Sequence, residues 1–179
     1  MARIDTAEAI ADAWNRELPG VPTDSIRIIT RVWRAAKLLS DERRRTLTGL
    51  GIDRATLDLI SVLRRRGTPY ELTPAELAAR SLVSAGAVSQ RVARAEEAGL
   101  VEVDRTPSGK RALTVRLTER GHAWADHSVT GLLEAEDHLV GHLSERQRAD
   151  LARLLKAFLA GLHDHTGVPD TADLDRTGS

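Results

Sequence analysis

Apolar positions recur along this chain mostly at helical spacing, and clusters of breakers cut the pattern into segments. From Asp5 to Glu17 a helix is predicted with Ala7, Ile10, Ala11, Trp14 and the following Leu18 on one stripe, closed by Pro19-Gly20-Val21-Pro22. A second helix, from about Asp24 to Leu47, turns Ile29, Val32, Trp33, Ala36 and Leu39 inward and stops near Gly49 and Gly51. A third, Arg54 to Arg66, turns Ala55, Leu59, Val62 and Leu63 inward, with Gly67-Thr68-Pro69 as its stop. Thr73 and Glu76 then have the spacing of a capping box, and Pro74 suits a first helical position, so a short helix begins there. After a turn over Ser81 to Val83, Ser84 can cap another helix running to about Ala98. At about 100° per residue, Val92 and Ala95 fall within roughly 40° of Val88 and form a core stripe. Gly86, Gln90, Ala93, Arg94 and Glu97 are left on the opposite face.

The period then changes. Leu113, Val115 and Leu117 alternate with Ala112, Thr114 and Arg116, which predicts a strand over Arg111 to Leu117. A partner strand over Leu100 to Arg105 and the turn Thr106-Pro107-Ser108-Gly109-Lys110 complete a hairpin. Thr118 caps a long helix to about Leu143, and Ser144 with Gln147 makes another capping box for a helix to about His163. That last helix gathers Leu151, Leu154, Leu155, Phe158, Leu159 and Leu162 on a broad apolar face. A face so apolar at the end of a small domain needs a partner, and a second copy around a two-fold axis is expected, with an intramolecular core as the alternative.

A length of 179 residues suits one ordinary domain. Its parts are N-terminal helices (1–50), a central lobe (51–117), C-terminal helices (118–165) and a tail (166–179) expected to be disordered, rich in Asp, Thr and Gly with little to bury. The formal net charge is zero, but it is unevenly spread. Residues 1–24 carry 2 basic and 5 acidic side chains, residues 25–116 carry 18 and 10, and residues 117–179 carry 6 and 11. A basic middle between acidic ends suits a nucleic-acid surface on a scaffold that avoids it. Because 23 of the 26 basic residues are Arg, beside abundant Ala, a GC-rich coding bias is at work and position matters more than arginine count. The chain has no cysteine, which excludes disulfides, thiol redox sensing and cysteine-ligated zinc. No apolar run approaches a membrane span and the Asp-rich start is no leader peptide, so a cytoplasmic location is expected.

The helix after Ser84 carries short and amide side chains outward: Ser84, Ala85, Gly86, Ser89 and Gln90, followed by Arg94. Such a face can lie in the major groove of double-stranded DNA and read base edges. Lys110 and Arg111 at the hairpin tip suit backbone or minor-groove contact, with an ordinary solvated turn as the alternative. No nucleophile, acid–base pair or phosphate loop has a structural context, and Ser84-Ala85-Gly86 caps a helix rather than forming a nucleophile elbow, so neither an enzyme nor a cofactor is expected. His138 and His142, spaced i, i+4 beyond Glu134, make a possible metal edge that nothing completes.

The run Leu72-Thr73-Pro74-x-Glu76-Leu77-Ala78, the segment Glu97-Ala98-Gly99-Leu100-Val101 and the closing Val115-Arg116-Leu117-Thr118-x-x-Gly121 resemble the MarR family of transcription regulators over about residues 5 to 163. The resemblance implies a mainly α fold with a small β-hairpin wing: a winged helix-turn-helix whose N- and C-terminal helices dimerise. It also implies a ligand-responsive regulator, a repressor by family habit, that leaves a pseudo-palindromic operator when a small aromatic or anionic effector binds. A narrower likeness is to the urate-responsive branch, which has an added first helix. Trp14-Asn15-Arg16-Glu17-Leu18-Pro19, Asp58 within Leu57-Asp58-Leu59, and Arg91 match that branch and imply a ligand pocket lined by Trp14, Asp58 and Arg91. Val103 stands where the branch has an arginine, and Gly109-Lys110-Arg111 replaces the usual Asp-x-Arg wing motif, so an acid more apolar than urate is expected.

Read from the residues alone, Arg91 lies about 60° from Val88, on the core side of its helix. Asp58 likewise sits between apolar neighbours, so the two form either a structural ion pair or an anion pocket with its counter-charge. Trp14 is either a stacking face or core packing. The competing function is a winged-helix protein-interaction module without sequence-specific DNA binding.

Overall fold

The computed structural model describes residues 5–81, 83–105 and 113–168. They fall into two compact units, residues 1–46 and 47–179.

The first unit holds α1 (Thr6–Glu17) and all but the last turn of α2 (Asp24–Gly49). The Asp5 carboxylate caps α1 by accepting from the Ala7 N–H at 3.0 Å. Ala7 and Ala11 are the buried positions of α1. Thr23 Oγ1 donates to Asn15 Oδ1 at 2.9 Å, and Arg27 of α2 reaches Glu8 at 2.8 Å and Asp12 at 3.3 Å, while Arg31 pairs with Asp5 and Glu8. Small residues and arginine–carboxylate pairs therefore join the two helices. The largest apolar side chains of these helices stay mostly open. Trp33 is 72% exposed and Leu39 54%, while Ile29 and Val32 are half-buried, so the stripe expected to turn inward on α2 is open at its later positions, and Trp14, at 48%, is not a core residue of this unit.

The second unit contains α3 (Arg54–Arg66), β1 (Glu71–Leu72), α4 (Pro74–Ser81), α5 (Ala85–Glu97), β2 (Val101–Asp104), β3 (Thr114–Leu117), α6 (Glu119–Val140) and α7 (Glu145–Thr166). α3 is central because it is apolar on two sides. Leu59, Ile60, Val62 and Leu63 join a core with Leu77, Val88, Val92, Leu100, Val115 and Leu117, whereas Leu57 joins Leu47, Ile52 and Leu132. The strands form one antiparallel sheet in the order β1-β3-β2, with Leu72 opposite Val115 and Val101 opposite Leu117. β1 was not expected: a two-residue strand is too short to show a period. β2 and β3 are shorter than expected, and Leu113 is 42% exposed rather than turned in. Residues 106–112, with the turn and Lys110 and Arg111, lie outside the described residues.

Thr118 connects β3 directly to α6. Its hydroxyl donates to the Gly99 carbonyl at 2.8 Å and accepts from the Gly121 N–H at 2.9 Å, and its own N–H donates to the Leu100 carbonyl at 3.1 Å. Farther along, Arg64 of α3 pairs with Asp126 of α6 at 2.9 Å and lies 5.3 Å from the Tyr70 ring centroid, and that ring meets His122 edge-on at 4.5 Å. α6 ends at Val140, earlier than expected, with Gly141 as its C-cap. The Ser144/Gln147 capping box starts α7 as expected. α7 runs on to Thr166 and is closed by left-handed Gly167, so the start of the expected tail is ordered helix, and residues 169–179 lie outside the described set. No residue of α7 is buried, and Leu151, Leu154, Leu155, Leu159 and Leu162 are all exposed.

Candidate nucleic-acid interface and anion site

The α4–α5 pair is assembled from local signals. The Thr73 N–H donates to Glu76 Oε2 at 2.7 Å and the Glu76 N–H donates to Thr73 Oγ1 at 3.2 Å, so the two first-turn groups satisfy each other and fix the start of α4. These bonds favour the carboxylate, and hold the Glu76 carboxyl below the ordinary glutamate range. Ser84 caps α5 by accepting from the Ala87 N–H at 3.3 Å. Val88, Val92 and Ala95 are buried, which locks the rotation of α5 about its axis. With that rotation Ser84, Ala85, Gly86, Ser89, Gln90 and Arg94 are all exposed. Ser89 Oγ donates to the Ala85 carbonyl at 3.0 Å, so its hydroxyl hydrogen is engaged and its lone pairs face outward as acceptors. The result is a groove-sized helix face with little bulk in its first two turns and a cation farther along.

Arg94 is set against the N-terminus of α3. Asp53 caps that helix, accepting from the Thr56 N–H at 2.9 Å, and its carboxyl is held low chiefly by this bond and in smaller part by the charge of Arg94. Glu96 and Arg105 form a two-pronged pair across the corner from α5 to β2, which sequence reasoning missed because no period links a helix end to a strand end.

Arg91 is largely covered, with its side chain 19% exposed, and its Nη1 lies 3.9 Å from Asp58 Oδ2. Asp58 is more open, at 37%, and Arg54 Nε also stands 3.9 Å from it. The structure thus brings Asp58 and Arg91 together, but loosely: these separations exceed hydrogen-bond length and leave the pair replaceable. Trp14 belongs to the first unit. Val103, where the urate-responsive pattern has an arginine, packs its side chain on the core beneath the sheet. His138 is exposed on α6, but His142 lies past its end, so the two do not share one helix face as their spacing suggested.

A short helix, a tight turn, a small-residue second helix and a strand pair on one core define a winged helix-turn-helix protein. The MarR family pattern matches residues 50–112, a stretch that begins in the turn before α3 and takes in α4, α5 and β2. Over 155 residues the chain is 24% identical to the HTH-type transcriptional regulator PecS of Dickeya dadantii, covering 87% of this chain and 93% of that one. Among solved structures it resembles Sco3205 of Streptomyces coelicolor, a MarR family transcriptional regulator in complex with DNA, at 27% identity and a TM-score of 0.65, over 88% of this chain and 96% of that one. It also resembles apo MarR of Escherichia coli, at 26% identity and a TM-score of 0.60, over 73% and 96%. Residues 50–112 thus carry the MarR family pattern, and over most of its length the chain is similar to transcriptional regulators of that kind.

Proposed function

We propose that this regulator binds a pseudo-palindromic operator as a homodimer, represses from it, and is released by a small aromatic acid. The observation that carries the reading is the exposed face of α5: Ser84, Ala85, Gly86, Ser89, Gln90 and Arg94 stand outward on a helix whose rotation is fixed by Val88, Val92 and Ala95. Ser84, Ser89, Gln90 and Arg94 are assigned to the major groove, where Ala85 and Gly86 allow close approach. Lys110 and Arg111 are assigned to the backbone or minor groove at the wing. Dimer symmetry then sets the half-sites about one helical turn apart. For the effector, Arg91 supplies the cation, and an incoming carboxylate takes the place of loosely held Asp58. Because Val103 adds an apolar rather than a cationic side chain, the acid expected is less polar than urate. Trp14, half exposed in the first unit, is proposed as an aromatic contact for the effector.

The test is binding to a selected operator and to random DNA across salt, with and without a panel of urate, salicylate and larger aromatic acids. Gln90→Ala should relax base preference at one or two positions by about 1–3 kcal/mol, and Arg111→Ala should flatten the salt slope by about one unit on every sequence. Equal loss on operator and random DNA removes Gln90 from the reading set. Salt-insensitive or absent DNA binding replaces this reading with a protein-interaction module. Arg91→Ala should abolish release by the acids, and undiminished release places the effector elsewhere.

A further inference from the structure

α5 ends at Glu97, and after a two-residue turn and Leu100 the chain enters β2. This corner brings Glu96, on the last turn of α5, opposite Arg105, the first residue past β2. Arg105 Nη1 donates to Glu96 Oε1 at 2.7 Å and Nη2 donates to Oε2 at 2.6 Å. Two parallel charge-assisted bonds fix the plane of the guanidinium as well as its distance. Among the described residues the last cross-strand partners are Asp104 and Thr114, and Arg105 directly follows that pair. The fork to Glu96 restrains the chain at the end of β2 against the last turn of α5. We propose that Glu96 and Arg105 act as a positioning clamp, setting the angle between the recognition helix α5 and the wing strands β2 and β3 so that helix and strands meet one half-site in a fixed geometry.

The side chains are 31% and 62% exposed, and an ion pair so open contributes little to the stability of the fold. Its effect is angular. The carboxylate of Glu96 is held below its ordinary range by the bond to Arg105, so the fork stays charged throughout the neutral range. In this role Arg105 is occupied by Glu96 and is not itself a phosphate contact.

The inference rests on the DNA-binding reading above, and the experiment separates the two. Operator and random-DNA affinity, salt slope and thermal stability are measured on the full chain for the native protein, Glu96→Gln, Arg105→Gln and the swap Glu96→Arg with Arg105→Glu. Charge alone predicts that Glu96→Gln strengthens binding to every sequence, because it removes an acidic group and frees an arginine beside DNA. The clamp predicts the opposite sign on the operator: about a fivefold loss or more, with random-DNA affinity and melting temperature little changed. Arg105→Gln should match that loss with an unaltered salt slope, and the swap should recover most of it. Glu96→Gln binding the operator as tightly as the native protein overturns the clamp, as does a salt slope shallower by about one unit in Arg105→Gln, which would mark Arg105 as a phosphate contact. A native protein that binds no DNA overturns the underlying reading and the clamp with it.

Discussion

A Cβ on Gly121 would stand 2.0 Å from the Leu100 carbonyl oxygen, a backbone atom held in place by the Thr118 N–H. Nothing flexible can yield there, so Gly121→Ala should destabilise the protein by about 1–3 kcal/mol or more in thermal or chemical unfolding. Gly131 lies on the same helix, and its Cβ would meet only the Leu50 side chain, at 3.3 Å. That neighbour can rotate away, and replacing a mid-helix glycine by alanine gains up to about 1 kcal/mol, so Gly131→Ala should be neutral or stabilising. Opposite signs for two identical substitutions on one helix would confirm that backbone approach, rather than glycine flexibility, matters at position 121. Much of the candidate interface is legible at this scale, because one angle per residue divides Val88 from Gln90. The same angle put Arg91 on the covered side of α5, where its side chain is 19% exposed. Its pairing with Asp58 was only one of two open readings, since it depends on how α3 crosses α5, which no local pattern encodes.

Elements are most legible where their ends carry their own hydrogen bonds. Thr73 with Glu76, Ser84, Thr118 and Ser144 with Gln147 each announced a helix start that the structure contains. β1 went unseen because its two residues are placed by Arg116 and Val115 of β3, residues far away in sequence. The α4 box also predicts a pH dependence. Its hydrogen bonds depress the Glu76 pKa in the folded state, so they contribute stability that is fully present above the ordinary glutamate range and is lost as pH falls through the lowered value. Glu76→Ala should therefore lower stability at neutral pH by about 0.3–1.5 kcal/mol, and the gap from the native protein should close as the solution is acidified. A gap that stays constant into acid would show that Glu76 does not act through its charge.

At the scale of the whole molecule, the open apolar faces govern. α7 exposes five leucines and buries no residue. Replacing Leu155 and Leu159 by Glu should yield monomers at micromolar concentration in sedimentation, with loss of tight operator binding. Dimers from that variant would place the interface elsewhere. Periodicity identified the α7 face and also the α2 stripe with Trp33 and Leu39, but it cannot tell a side chain facing its own core from one awaiting another chain. That is why the α2 stripe, expected inward, is open at Trp33, Ala36 and Leu39. The 22 residues of α6 start at the Thr118 joint without a loop, bonded to the carbonyls of Gly99 and Leu100 at the exit of the recognition helix. A helix of that length is a lever of about 33 Å, so a shift of about 3 Å at its Val140 end becomes a rotation of about 5° at the pivot. A displacement at the far end thus arrives at the reading face as a change of aim.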